Sequence, residues 1–191
     1  PGKDTQETAA LSGAGNWQLD ELHSVLASIS YLHTDLRQSF DADWVSDELC
    51  VEFTCSFGND TTSEHFDRQR DRWVADVRLL GNREATARGE DRYVLGLYAN
   101  AGSENFDYRR PSLWYGDAAS SSDYDSNRYA VYGEYQYAVS PQLVLVAGFR
   151  LERFSDDYRD SNAFGSDNSD NLWDGELSAR YTLGDNSTAY A

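Results

Sequence analysis

The side chains able to do chemistry in this chain are few and scattered. Cys50 and Cys55, in CVEFTC, are its two cysteines. A bond between them would close a short loop and contribute roughly 2 kcal/mol in a chain-entropy account, and it suits an oxidising compartment. Zinc would need about four ligands. The closest histidine is His65, and the C-x4-C spacing stands at the limit of the usual range. A Cys50–Cys55 disulfide is therefore the expectation, and a metal site is not. His23, His33 and His65 make no HExxH and no paired spacing, so ordinary strand or loop roles are expected. Asp156-Asp157 and Asp167-x-x-Asp170 bring calcium to mind, but the central Gly and terminal Glu of an EF-hand loop are missing. A solvated acidic loop is expected there. No Ser-His-Asp order and no G-x-S-x-G elbow occurs. The chain is expected to be no enzyme and to carry no cofactor.

One segment is suited to touching a ligand. Phe106–Tyr115 (FDYRRPSLWY) gathers Tyr108, Arg109, Arg110, Trp114 and Tyr115. Guanidinium forks match carboxylates and phosphates, and aromatic faces stack on planar rings or sugars. The competing account of the same residues is an aromatic girdle at an outer rim.

Composition narrows the classes. Among 191 residues, 16 are basic and 33 acidic, for a net charge of −17. Nucleic-acid binding needs Lys/Arg patches to meet phosphates, so it is not expected. An aromatic content of 14% argues against disorder throughout. No stretch approaches the ~18 apolar residues of a spanning helix. A membrane protein built of strands is still allowed, because alternation lowers mean hydropathy. Pro1–Ala10 lacks a signal-peptide pattern, there is no Met, and Tyr190-Ala191 falls in mid-strand. The chain is expected to be a piece of a longer, processed protein.

Its dominant period is two. In Asn127–Val139, Tyr129, Val131, Gly133, Tyr135 and Tyr137 share one face, while Arg128 and Glu134 lie on the other. Leu143, Leu145, Phe149 and Leu151 are likewise opposed to Arg150 and Glu152, and Trp173 and Leu177 to Glu176 and Arg180. Candidate strands span about 13–19, 22–40, 70–80, 92–101, 127–138, 142–154, 172–183 and 187 onward. Their links alternate between tight turns and long polar stretches (41–69, 102–126 and 155–171), the rhythm of outer-membrane barrels rather than sandwiches. On that reading Arg128, Glu134, Arg150, Glu152, Glu176 and Arg180 face a lumen, with cross-strand ion pairing expected. Tyr129, Val131, Leu143, Leu145, Phe149, Trp173 and Leu177 then face lipid, where an Arg or Lys would cost ~2–4 kcal/mol. A soluble sheet with one buried face would alternate in the same way.

Two stretches carry a family resemblance. Asn127–Phe154 (NRYAVYGEYQYAVSPQLVLVAGFRLERF) and Trp173–Ala191 (WDGELSARYTLGDNSTAYA) resemble the barrel of TonB-dependent outer-membrane receptors. The matching features are the L-x-L-x-x-G-x-R run ending at Arg150, and Leu177, Arg180, Tyr181, Leu183, Asp185, Tyr190 and Ala191 of the next hairpin. Trp73–Leu80 and Tyr93–Ala99 look like two earlier strands of that barrel, although Ala75-Asp76-Val77-Arg78 departs from the usual Glu-containing pattern.

The resemblance implies an all-β, antiparallel up-and-down meander of about eight strands, part of a 22-stranded transmembrane barrel that could stand as an open curved sheet. Residues 13–191 would be the partial barrel, and 1–12 disordered or the start of a loop. It implies an outer-membrane location, lipid contact, a plug domain outside these residues that engages TonB, and uptake of a ferric siderophore or another scarce nutrient. Two alternatives are a small eight-stranded outer-membrane barrel with an adhesive or structural role, and a secreted carbohydrate-binding β-sandwich.

Overall fold

The computed structural model describes residues 2–41, 63–83, 87–111, 116–184 and 187–191. Alternating sequence becomes strand after strand: β1 (Lys3–Gln18), β2 (His23–Asp41), β3 (Ser63–Asn82), β4 (Arg92–Arg110), β5 (Ala118–Ala138), β6 (Leu143–Asp160), β7 (Gly165–Gly184) and β8 (Ser187–Tyr190). All pair antiparallel with their sequence neighbours in one open sheet of order β1 to β8. β1 and β8 are the opposite edges of that sheet, whereas a closed eight-stranded barrel would need them paired. A sandwich would need a second sheet, and the described residues form one.

Several expected boundaries require correction. β1 begins at Lys3, not near residue 13, and is paired with β2 along its whole length. β3 begins at Ser63, inside the stretch expected to be loop. β4 and β5 run through most of 102–126, leaving a connection at 111–117. The acidic stretch 155–171 is a hairpin closed at 161–164, with Asp157 opposite Asp167. The cause is common to all of these. Strand pairing is made by backbone groups, and where both faces of a strand are wet nothing forces apolar alternation onto its side chains.

Local chemistry closes the tight ends. Asp20 Oδ1 accepts from the Leu22 and His23 amides at 2.8 and 2.9 Å. The Leu22 amide first, and then the His23 ring nitrogen 2.8 Å away, hold the Asp20 carboxyl below its ordinary pKa. Ser140 Oγ accepts from the Leu143 amide at 3.0 Å. Asp160 Oδ1 accepts from the Asn162 and Phe164 amides, both at 2.9 Å, and lets Ala163 take a positive φ of 62°.

The register fixes two faces. One row across the first face reads Gly15, Ala27, Val77, Leu97, Val131, Leu151, Trp173. The apolar part of this face has aromatic ends eight residues apart: His23 and Tyr31 on β2, Tyr129 and Tyr137 on β5, Trp173 and Tyr181 on β7. The two aromatic lines cross the sheet obliquely and in the same sense. The row through Trp17 reaches Gly175 on β7, six residues before Tyr181, and the row through Tyr31 reaches Ser169, four residues before Trp173. At ~3.3 Å per residue and ~4.8 Å per strand, both lines are inclined by about 30–35° to the rows. The apolar band between them is ~26 Å long along a strand and roughly 22 Å tall across that slant.

Beyond the outer line the same face turns polar. Tyr31 donates to Asp71, whose Oδ1 also lies 2.8 Å from His33 Nδ1, and Asp35 stands 3.2 Å from His33 Nε2.

Almost nothing is buried. Among the described residues the buried hydrophobic side chains are Ala130 and Ala138, while Leu97, Leu151 and Leu177 are largely exposed. Among the described residues this single-layer sheet encloses no internal core.

Candidate functional site

The second face carries the charges. Arg128, Glu134, Arg150, Glu152, Glu176 and Arg180 all fall on it by register, and Tyr129, Val131, Leu143, Leu145, Phe149, Trp173 and Leu177 all fall on the apolar one. At its centre Glu152 is held between Arg128 (3.2 Å) and Arg150, and its side chain is only 9% exposed. The Arg150 guanidinium lies 5.3 Å from the Tyr98 ring and 5.8 Å from that of Tyr132. Tyr132 donates to Asp76 at 2.8 Å, and Arg78 meets the same carboxylate at 2.6 Å. Tyr132 lies flat over Gly96, its cross-strand partner, where any Cβ would run into the ring. The glycine lets the sheet carry this aromatic on its polar side.

Towards the end where the strands run on past the apolar band, the face becomes aromatic and basic. β3 places Arg68, Arg70 and Arg72 at successive positions on this face, every second residue. Phe66 is stacked on Phe40 at 5.5 Å and tilted against Tyr108 at 5.1 Å. Arg68 lies over Phe106 at 5.4 Å. Arg70 Nε donates to Glu104 at 2.8 Å, and Arg68 stands 3.1 Å from the same carboxylate. Tyr108 donates to Glu64 at 3.1 Å. Arg110 shares this face, one row beyond Tyr108. Four guanidiniums against two carboxylates leave this patch positive in a chain of net charge −17. The far side of the same face is acidic, with Asp156 and Asp160 on β6 and Asp170 and Asp174 on β7.

Strand geometry divides the cluster expected around Tyr108. Tyr108 and Arg110 are on the charged face; Arg109 is on the other, 3.6 Å from Asp67. Trp114 and Tyr115 lie outside the described residues, as do Cys50 and Cys55. Sequence reasoning missed Arg68, Arg70, Arg72, Phe66 and Phe106, although arginine at every second position was a legible strand signal. Among the described residues no three His, Cys, Asp or Glu side chains converge as metal ligands do.

An anionic ligand with planar rings is what this patch suits chemically. The guanidiniums supply charge and forked donors, and Phe66, Phe106 and Tyr108 supply stacking surface.

Comparison with known proteins bears on the fold. A family model described as TonB-dependent receptor-like β-barrel matches residues 2–191. Among solved structures, the ferric yersiniabactin uptake receptor FyuA of Yersinia pestis superposes with a TM-score of 0.67 at 17% identity, over 99% of this chain and 27% of its own. The ferric preacinetobactin receptor BauA of Acinetobacter baumannii gives 0.63 at 12%, over 99% and 30%. The copper transporter OprC gives 0.65 at 14%, over 96% and 29%. The chain thus spans between a quarter and a third of the length of these structures. Among curated protein sequences, none matches it.

Proposed function

We propose that this chain, which belongs to the β-barrel family of TonB-dependent receptors, is part of an outer-membrane receptor that takes up an anionic, ring-bearing metal chelate such as a ferric siderophore. The aromatic–guanidinium patch carries the reading: Arg68, Arg70 and Arg72 beside Phe66, Phe106 and Tyr108. Its position beyond the apolar band, where the strands run on past the outer aromatic line, would put it where a ligand entering from outside first meets the lumen wall. In an otherwise acidic chain, a local positive patch attracts an anion and sets its orientation. FyuA and BauA are receptors for ferric chelates, while OprC is a copper transporter, so the shared fold leaves the cargo to the patch chemistry.

The remaining parts of the reading follow from the apolar band. Its height of roughly 22 Å and slant of about 30–35° suit a transmembrane barrel, whose outward apolar band is ~25 Å tall with strands tilted ~35–45°. Exposed Leu, Val and aromatic side chains in a row are costly in water and favoured in hydrocarbon. The energy for uptake would come from TonB, engaged through a plug domain of the full receptor. Catalysis has no part in this proposal.

Binding of ferric chelates to the full-length receptor tests the cargo. Arg70→Ala and Arg72→Ala should each weaken an anionic ferric catecholate roughly tenfold or more and leave a cationic ferric hydroxamate unchanged. Equal loss for both ligands, or no loss for either, would contradict the reading.

A further inference from the structure

We infer that the apolar face carries a site for a phosphate-bearing lipid of the outer leaflet, with an acyl chain in the groove between Tyr129 and Trp173 and the phosphate on Arg153. The site rests on reading that face as lipid-facing. The groove has a volume of about 810 Å³, within the range of small-molecule sites. Its floor is low because Ala75 and Ala99 are adjacent cross-strand partners, and its walls are Tyr129, Leu151 and Trp173.

Arg153 stands at the groove's head. It is the cross-strand partner of Tyr129 on one side and of Asn171 on the other. On β6 it therefore occupies the place in the outer aromatic line that Tyr129 fills on β5 and Trp173 on β7. From the Trp17 row to the Tyr31 row, Arg153 is the one Arg, Lys, Asp or Glu on this face among the described residues. It is exposed, and no hydrogen bond or ion pair among the described residues involves it. At the height of the aromatic line an arginine costs only about 0–1 kcal/mol, against ~2–4 at the midplane, so it stays charged there with its donors free for a ligand. The anions at that height are lipid headgroup phosphates.

Neighbouring acids do not fill that role. Glu152 is on the opposite face, held by Arg128 and Arg150. Asp125 and Asp157 begin two rows further out, ~13 Å along the strand and beyond a Debye length of ~8 Å; Asp157 is itself paired with Arg159 at 3.0 Å. A forked guanidinium suits a phosphate better than a zwitterionic headgroup, and Asn171 offers an amide beside it.

The test is native mass spectrometry of the full-length receptor released from nanodiscs doped with diphosphorylated lipid A or with the same lipid stripped of phosphate. The wild type should retain at least one diphosphorylated lipid, and about tenfold less of the dephosphorylated one. Arg153→Gln should abolish that preference, and Arg153→Lys should keep part of it. Ala99→Phe, which fills the groove floor, should lower retention with Arg153 intact. Excess inorganic phosphate should not displace the lipid. Equal retention by wild type and Arg153→Gln in inserted receptor, or displacement by inorganic phosphate, would overturn the site alone. A wild-type receptor that fails to enter nanodiscs would overturn the membrane reading beneath it.

Discussion

Leu151 on β6 and Trp173 on β7 face each other across the strand pair, exposed by 55% and 81%. Two large apolar side chains in register and both uncovered are a poor arrangement for a surface in water, and they extend a row through Val131, Leu97 and Val77. Among the described residues no second layer covers this row, and a hydrocarbon phase outside would do so. This relationship makes the membrane reading of the band more economical than a soluble one.

A charge placed in that row should be expensive in a way that the opposite face is not. Leu97→Arg in the full-length receptor is expected to destabilise it by ~2–4 kcal/mol in bilayers. Asn100→Arg on β4, on the charged face, should change stability by less than ~1 kcal/mol. Denaturant titrations of receptor refolded into vesicles would measure both. Similar costs for the two substitutions would show that the two faces see the same medium.

The arginine patch makes a contrast within three residues. Arg110→Ala should weaken binding of an anionic ferric chelate, while Arg109→Ala, on the opposite face beside Asp67, should leave affinity within about twofold. Isothermal titration on the full-length receptor decides between them. A larger loss from Arg109 than from Arg110 would mean that the ligand does not meet the charged face.

This contrast also shows where the sequence was legible. Within the band, Tyr129 to Tyr137 and Leu143 to Leu151 alternate because one face needs apolar residues and the other does not, so face and period could be read directly. Beyond the band, Ser155–Asp160 and Gly165–Leu172 pair as strands with both faces wet, and their composition is that of a loop. Arg68 was hidden for the same reason, in the stretch 41–69 expected to be loop, while Arg70 and Arg72 stood at the start of the strand expected over 70–80 without being taken as part of a site. Contiguity misled at Tyr108-Arg109-Arg110, since residues adjacent in a strand point to opposite sides. The tight turns at Asp20 and Ser140 were legible as the short links left between alternating runs.

Gly96 tests the packing of the charged face. Gly96→Ala should push Tyr132 off its position, break its hydrogen bond to Asp76 and cost about 1–3 kcal/mol. Adding Tyr132→Ala should recover much of that loss, because the new Cβ would then have space. A double-mutant cycle in refolded receptor measures the coupling; strictly additive effects would show that the ring does not rest on Gly96.

Asp91 provides a pH dependence. Buried before β4, it accepts from the Ala138 amide at 2.9 Å and from the Tyr135 hydroxyl at 3.1 Å. The Ala138 bond contributes most to holding its pKa below the ordinary 3.8, against the opposing effect of desolvation. A depressed carboxyl contributes stability above its unfolded pKa and loses it as pH falls through the folded one. Exchange protection of the Ala138 amide should therefore persist at pH 5 and fall only below the usual carboxylate range. In Asp91→Asn that pH step should vanish. A loss of protection already complete at pH 5 in the wild type would contradict the assignment.

The most direct measurement is a nitroxide scan along β6 from Ala147 to Arg153 in receptor reconstituted into bilayers, reading collisions with oxygen and with a water-soluble nickel chelate. Labels at 147, 149 and 151 should favour oxygen and those at 148, 150 and 152 the chelate, alternating with every residue. Accessibility that is uniform along the strand, or alternation in the opposite phase, would contradict the account that the Leu151 face meets hydrocarbon and the Arg150 face meets water.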